Sequence, residues 1–122
     1  MKINKDSGQI EIISPYGRVY LYTHNDAKSL LTIVHNTLSL KVRWDDPDYL
    51  SRMLFCEMIP EQFWSSNTGY GIGTQLYADV ELLLSLNTVA QKITLSSGSH
   101  EFSNFSMGFE EFIVDFLKDA KL

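Results

Sequence analysis

A chain of 122 residues with 44% hydrophobic and 20% charged residues has the composition of one globular domain, since two separate cores would each be too small. No apolar run approaches the roughly 18 residues needed to cross a bilayer, and Met1-Lys2-Ile3-Asn4-Lys5-Asp6 lacks the apolar stretch of a signal peptide, so a cytoplasmic protein with no membrane contact is expected. Fifteen acidic against ten basic residues, a net charge of −5, oppose direct nucleic-acid binding and favour encounter with a basic partner, although the same balance also serves plain solubility.

Residues 9–13 and 18–22 are rich in β-branched and aromatic side chains and are separated by Ser14-Pro15-Tyr16-Gly17, which predicts an opening β-hairpin. After Asn25 or Asp26 as N-cap, Ala27, Leu30, Leu31, Val34, Leu38 and Val42 recur at the spacing of one helical face and predict a helix of about four turns. Asp46 as cap, Pro47 at the first helical position and Asp48 in the first turn predict a second helix, with Leu50, Met53, Leu54 and Met58 inward and Pro60 as its stop.

The stretch from Glu61 to Gln75 is too rich in glycine for a helix and too aromatic for a disordered linker, so an ordered loop leading into an edge strand is expected. Val80–Leu86 and Lys92–Leu95 predict a second hairpin, expected to be the central pair of the sheet. A turn or loop at 96–100 precedes Phe109, Phe112, Ile113, Phe116, Leu117 and Ala120, the spacing of a C-terminal helix that Ser106 is placed to cap. The expected fold is a single α+β domain over residues 1–122, a mainly antiparallel sheet of two hairpins packed with two central helices and a C-terminal helix.

No motif in the chain carries recognisable catalytic, metal or nucleotide chemistry, and no cofactor is expected. Gly69, Gly71 and Gly73 alternate, but neither G-x-G-x-x-G nor a Lys-Ser/Thr pair follows from them, so a bulge or close strand approach is the reading preferred over phosphate binding. His24, His35 and His100 are scattered, without the i, i+4 spacing of a helical metal site. Cys56, the one cysteine, excludes an internal disulfide; among Phe55, Glu57 and Met58 it reads as a buried small hydrophobe rather than an activated nucleophile.

Two groups of residues are candidates for binding. Asp45, Asp46 and Asp48 form the densest acidic group; capping explains most of it, and a contact face for a basic partner, extended by Glu57 and Glu61 near the other end of the same helix, explains the remainder. Trp64 and Tyr70 flank the glycine-rich loop and serve either as interface anchors or as aromatics tucked onto the core.

Arg43-Trp44-Asp45-Asp46-Pro47-Asp48-Tyr49-Leu50, then Met53-Leu54-Phe55-Cys56-Glu57-Met58 and Thr68-Gly69-Tyr70-Gly71-Ile72-Gly73, resembles small immunity proteins of bacterial contact-dependent growth inhibition systems, over residues 38–86. The resemblance implies a protein without enzymatic activity that binds the C-terminal toxin domain of a cognate effector, frequently a nuclease, and blocks its active site or substrate groove. An acidic protein suits such a basic target. The alternatives are an adaptor or oligomeric subunit of a larger assembly and, further off, a small enzyme using His35 with a carboxylate. A monomer or a weak homo-oligomer is expected.

Overall fold

Pro15 and Tyr16 reverse the chain in two residues, and the hairpin they create sets the direction of everything after it. The computed structural model describes residues 4–24, 26–59, 69–77, 79–97 and 103–116, without the side chains of residues 4, 5 and 116. Strands β1 (Asn4–Ser14) and β2 (Gly17–Thr23) pair antiparallel from Gly8↔Thr23 to Ser14↔Gly17. Gly17 sits at φ +147°, a conformation that side-chain-bearing residues rarely adopt, while the Ser14 hydroxyl accepts from the Tyr16 N–H and donates to the Gly17 carbonyl.

Helix α1 (Ala27–Ser39) buries Ala27, Leu30, Leu31, Val34 and Leu38, the stripe expected, together with Ile33 and Thr37. It ends before Val42, which is exposed, because Lys41 and Arg43 adopt positive φ and turn the chain out of the helix. Helix α2 (Pro47–Met58) begins as its cap chemistry predicts: the Asp46 carboxylate accepts the Tyr49 N–H at 3.0 Å and Pro47 occupies the first helical position. Its buried side chains are Leu50, Leu54 and Met58, with Met53 half-buried. Cys56 is exposed, contrary to expectation, because at about 100° per residue it lies roughly 160° around the helix from Leu54.

Strands β3 (Tyr70–Gly73), β4 (Val80–Asn87), β5 (Lys92–Ser97) and β6 (Phe105–Gly108) complete a six-stranded sheet of order β3-β2-β1-β4-β5-β6. The pairing is antiparallel except between β1 and β4, which run parallel. The central pair is therefore β1–β4 rather than the β4–β5 hairpin. The edge strand expected after the glycine-rich stretch is β3. Strand β6 was not expected: Phe105 and Met107 lean on the core while the Ser106 hydroxyl lies 3.1 Å from that of Thr94, so Ser106 is a strand residue and not a helix cap. The chain turns helical at α3 (Phe109–Glu111) and continues as a π-helical turn at Phe112–Phe116.

Cross-strand partners share a face, so Ile10, Ile12, Leu21, Leu82, Leu84, Leu86, Ile93 and Leu95 form one apolar layer against the helices. Each of these, fully buried, contributes about 1.5–3 kcal/mol of transfer free energy. At Gly8 a Cβ would lie 2.8 Å from Leu30 and 3.3 Å from Ala27, so glycine lets α1 sit directly on β1. On the other face Glu11 is buried but satisfied by Arg18 at 3.1 Å and Ser85 at 3.0 Å, and Gln9 holds the segment after β3 through Gln75 and Tyr77. No helix among the described residues is long and apolar enough to cross a membrane.

Among the described residues one buried hydroxyl has no hydrogen-bond partner: Thr37 Oγ1, on the inward face of α1. Thr37→Val keeps the shape and β-branching but removes the unsatisfied group, and should raise stability by about 1–2 kcal/mol in urea unfolding. A loss of stability would show that the hydroxyl has a bonding role.

Candidate functional site

The connection between α1 and α2 builds the acidic corner. Trp44 stacks edge-on against Phe109, ring centres 5.6 Å apart, and donates its indole N–H at 3.0 Å to the Leu38 carbonyl, which also accepts the Lys41 N–H at 3.0 Å at the end of α1. Lys41 pairs with Glu110 at 3.2 Å, and the Arg43 guanidinium lies 5.1 Å from the centre of the Tyr49 ring. The Arg43 carbonyl accepts the Asp46 N–H at 3.0 Å and closes the turn.

Ser14, Tyr16, Arg43, Asp45, Asp46, Pro47 and Asp48 together line an open depression of about 620 Å³ between this connection and the β1–β2 turn. Asp46 is half-buried and committed to the cap. The Asp45 and Asp48 carboxylates are exposed and make no hydrogen bond or ion pair with another described residue. Tyr16 stands at the turn's tip, 93% exposed. The lining contains no His, Cys or Lys, and the Ser14 hydroxyl is engaged within its own turn. What this arrangement offers is an open concave surface with two exposed carboxylates, one guanidinium engaged over Tyr49 and a free aromatic ring.

Tyr70 is held elsewhere. Its ring packs on the core and its hydroxyl donates to Asp26 at 2.6 Å, just ahead of α1, whereas the aspartates lie beyond the far end of that helix. Thirteen residues at 1.5 Å each place the two about 20 Å apart. The Asp26 carboxylate is thereby occupied by Tyr70 and makes no side-chain cap to α1. Glu61 and Trp64 lie outside the described residues, as does His100.

Of the glycines, Gly71 has a definite reason: a Cβ there would collide with the Tyr22 ring, which lies across the strand. His24 lies beside Tyr22, ring centres 4.9 Å apart. His35 donates from Nε2 to the Ile113 carbonyl at 3.0 Å and tethers the π-helical turn to α1. Among the described residues no three His, Cys, Asp or Glu side chains are placed to share a metal ion.

Tyr16 and Arg43 line the depression beside the aspartates, although neither is among the candidates the sequence offers. Tyr16 had a readable signal: an aromatic in the middle of a two-residue turn between antiparallel strands has no core to face. Arg43 had none, because its stacking on Tyr49 depends on a positive φ that no local pattern announces. Comparison of the chain with protein-family profiles, curated proteins and solved structures finds no match.

The Tyr70 hydroxyl is pushed up from about 10 to about 12, first by burial, then by its hydrogen bond to Asp26 and by the charge of that carboxylate. The folded chain thus holds this proton more tightly than the unfolded chain. The stability it contributes is complete below pH 10 and is lost as pH rises toward 12. Tyrosinate absorbance should show one late-titrating component that disappears in Tyr70→Phe; its persistence in that variant would assign it to another tyrosine.

Proposed function

We propose that this chain is an immunity-type inhibitor that acts in the cytoplasm by binding the toxin domain of a contact-dependent growth inhibition effector, a basic nuclease, and covering its active site or substrate groove. The observation that supports this most is the depression at the acidic corner, where Asp45 and Asp48 are exposed and their carboxylates have no bonding partner among the described residues. A helix start needs one capping carboxylate, and Asp46 supplies it. The two flanking carboxylates are left for an external cation. A groove that binds a phosphate backbone presents Lys and Arg, and such charges on the opposing surface raise the rate of productive encounter.

A second reading, a subunit of a larger assembly, is favoured by the edge strand β3, where Ile72 is exposed and the following Leu76 and Tyr77 are also exposed. Concentration-dependent sedimentation that Ile72→Ser abolishes would support it.

The inhibitor reading expects a toxin-domain gene immediately upstream of this one; coexpression of the chain with that domain should restore growth, and the absence of such a gene counts against the reading. Asp45→Lys with Asp48→Lys, leaving Asp46 intact, should slow association roughly tenfold at low ionic strength and flatten its salt dependence, with an unchanged circular dichroism spectrum. Failure of the unaltered chain to restore growth rejects the function; unchanged association kinetics reject this face.

A further inference from the structure

The acidic depression is one part of a larger end surface. Strands β1 and β4 are parallel, so the β1–β2 turn and the turn from Thr88 to Gln91 emerge side by side. They are joined directly: the Ile13 carbonyl accepts both the Thr88 N–H at 3.0 Å and the Thr88 hydroxyl at 2.8 Å. The Gln91 carbonyl accepts the Phe109 N–H at 2.8 Å, and Phe109 and Glu110 in turn hold Trp44 and Lys41. Three connections are thus tied into one platform.

Exposed apolar side chains collect on it. Tyr16 crowns the first turn, Val89, 68% exposed, crowns the second, and Leu40 and Val42 flank Lys41 on the third. Capping does not require them, and turns of ordinary composition would place polar residues there. The Asn87 carboxamide accepts the N–H groups of Val89 and Ala90, both at 3.0 Å, so the Val89 turn is already braced before any contact forms. Bracing of this kind lowers the ordering cost of association.

We infer that Tyr16 and Val89 are the affinity-determining anchors of the inhibitory interface, and that they seat in an apolar pocket of a toxin-domain cleft whose Lys and Arg rim meets Asp45 and Asp48. This rests on the inhibitor reading above and adds a division of roles within it. Charge complementarity selects the occupant: apolar tips beside two unpaired carboxylates match a surface that is apolar at its centre and cationic at its rim. Fully desolvated aromatic anchors govern how long a complex lasts, whereas rim charges govern how fast it forms.

The test measures association and dissociation of the upstream-encoded toxin domain with the unaltered chain, with Tyr16→Ala, with Val89→Ala and with Tyr16→Phe. Tyr16→Ala should raise Kd about thirtyfold, chiefly through faster dissociation and at every salt concentration, with Val89→Ala a smaller change in the same sense and Tyr16→Phe close to the unaltered chain. Both positions are exposed, so unchanged urea midpoints are expected and separate lost contact from lost fold. Tight binding by the unaltered chain with the same dissociation rate in both Ala variants overturns the inference and leaves the inhibitor reading standing. No binding by the unaltered chain overturns both. A dimer of the chain alone that Tyr16→Ala dissolves also overturns it, assigning the platform to a second copy.

Discussion

The parallel pairing of β1 with β4 decides which end of the molecule carries its connections. Antiparallel neighbours can be joined by a tight turn, but two parallel strands need a long crossover, and here α1, α2 and β3 all lie within it. Strand β2 carries the chain away from the β1–β2 turn, and α1 brings it back. The α1–α2 connection therefore returns to the end where both strand turns emerge, and the aspartates, Tyr16 and Val89 become neighbours although they are spread over more than seventy positions in the chain.

Elements whose signals are local were legible in the sequence. Ser14-Pro15-Tyr16-Gly17 carries its turn chemistry within four residues, and Asp46-Pro47-Asp48 carries a helix start within three. The acidic corner was legible for the same reason, because the capping carboxylate and the two exposed carboxylates beside it fall in one short run. The parallel register was not, since nothing within β1 or β4 states which neighbour it takes. Strand β6 was hidden by its length of four residues and by the helical spacing that begins at Phe109, which made Ser106 look like a cap. Cys56 was misread from its apolar sequence neighbours, when helix phase and not adjacency decides which side chains turn inward. The separation of about 20 Å between Tyr70 and the aspartates was likewise invisible until α1 was in place between them.

Several acidic side chains are consumed by the fold. Glu11 answers Arg18 and Ser85, Glu81 accepts the Asp6 N–H where the β1–β4 register shifts, Asp26 receives Tyr70, and Asp46 caps α2. Each meets a donor that would otherwise be left to water or buried unsatisfied. Asp45 and Asp48 stand in contrast beside Asp46, in the same turn, with nothing in the described fold to answer them. Net charge alone says little about partners; two unanswered carboxylates at the mouth of a depression say more.

The backbone of that connection supports the same reading. Lys41 at φ +55° and Arg43 at φ +53° both occupy the left-handed region, which costs a residue with a side chain roughly 1–2 kcal/mol relative to ordinary conformations. Glycine would relieve the strain at either position, but it would also remove the Lys41–Glu110 pair or the guanidinium over Tyr49. The exposed Lys41–Glu110 pair is worth little in water, so stability alone is a poor reason to keep a lysine there. Its effect is geometric: it fixes the connection against α3, and through Phe109 and Gln91 against the second turn. Strain of this kind persists where the surrounding contacts over-determine a shape, and the shape held here is the one that presents Asp45, Asp48 and Tyr16 together.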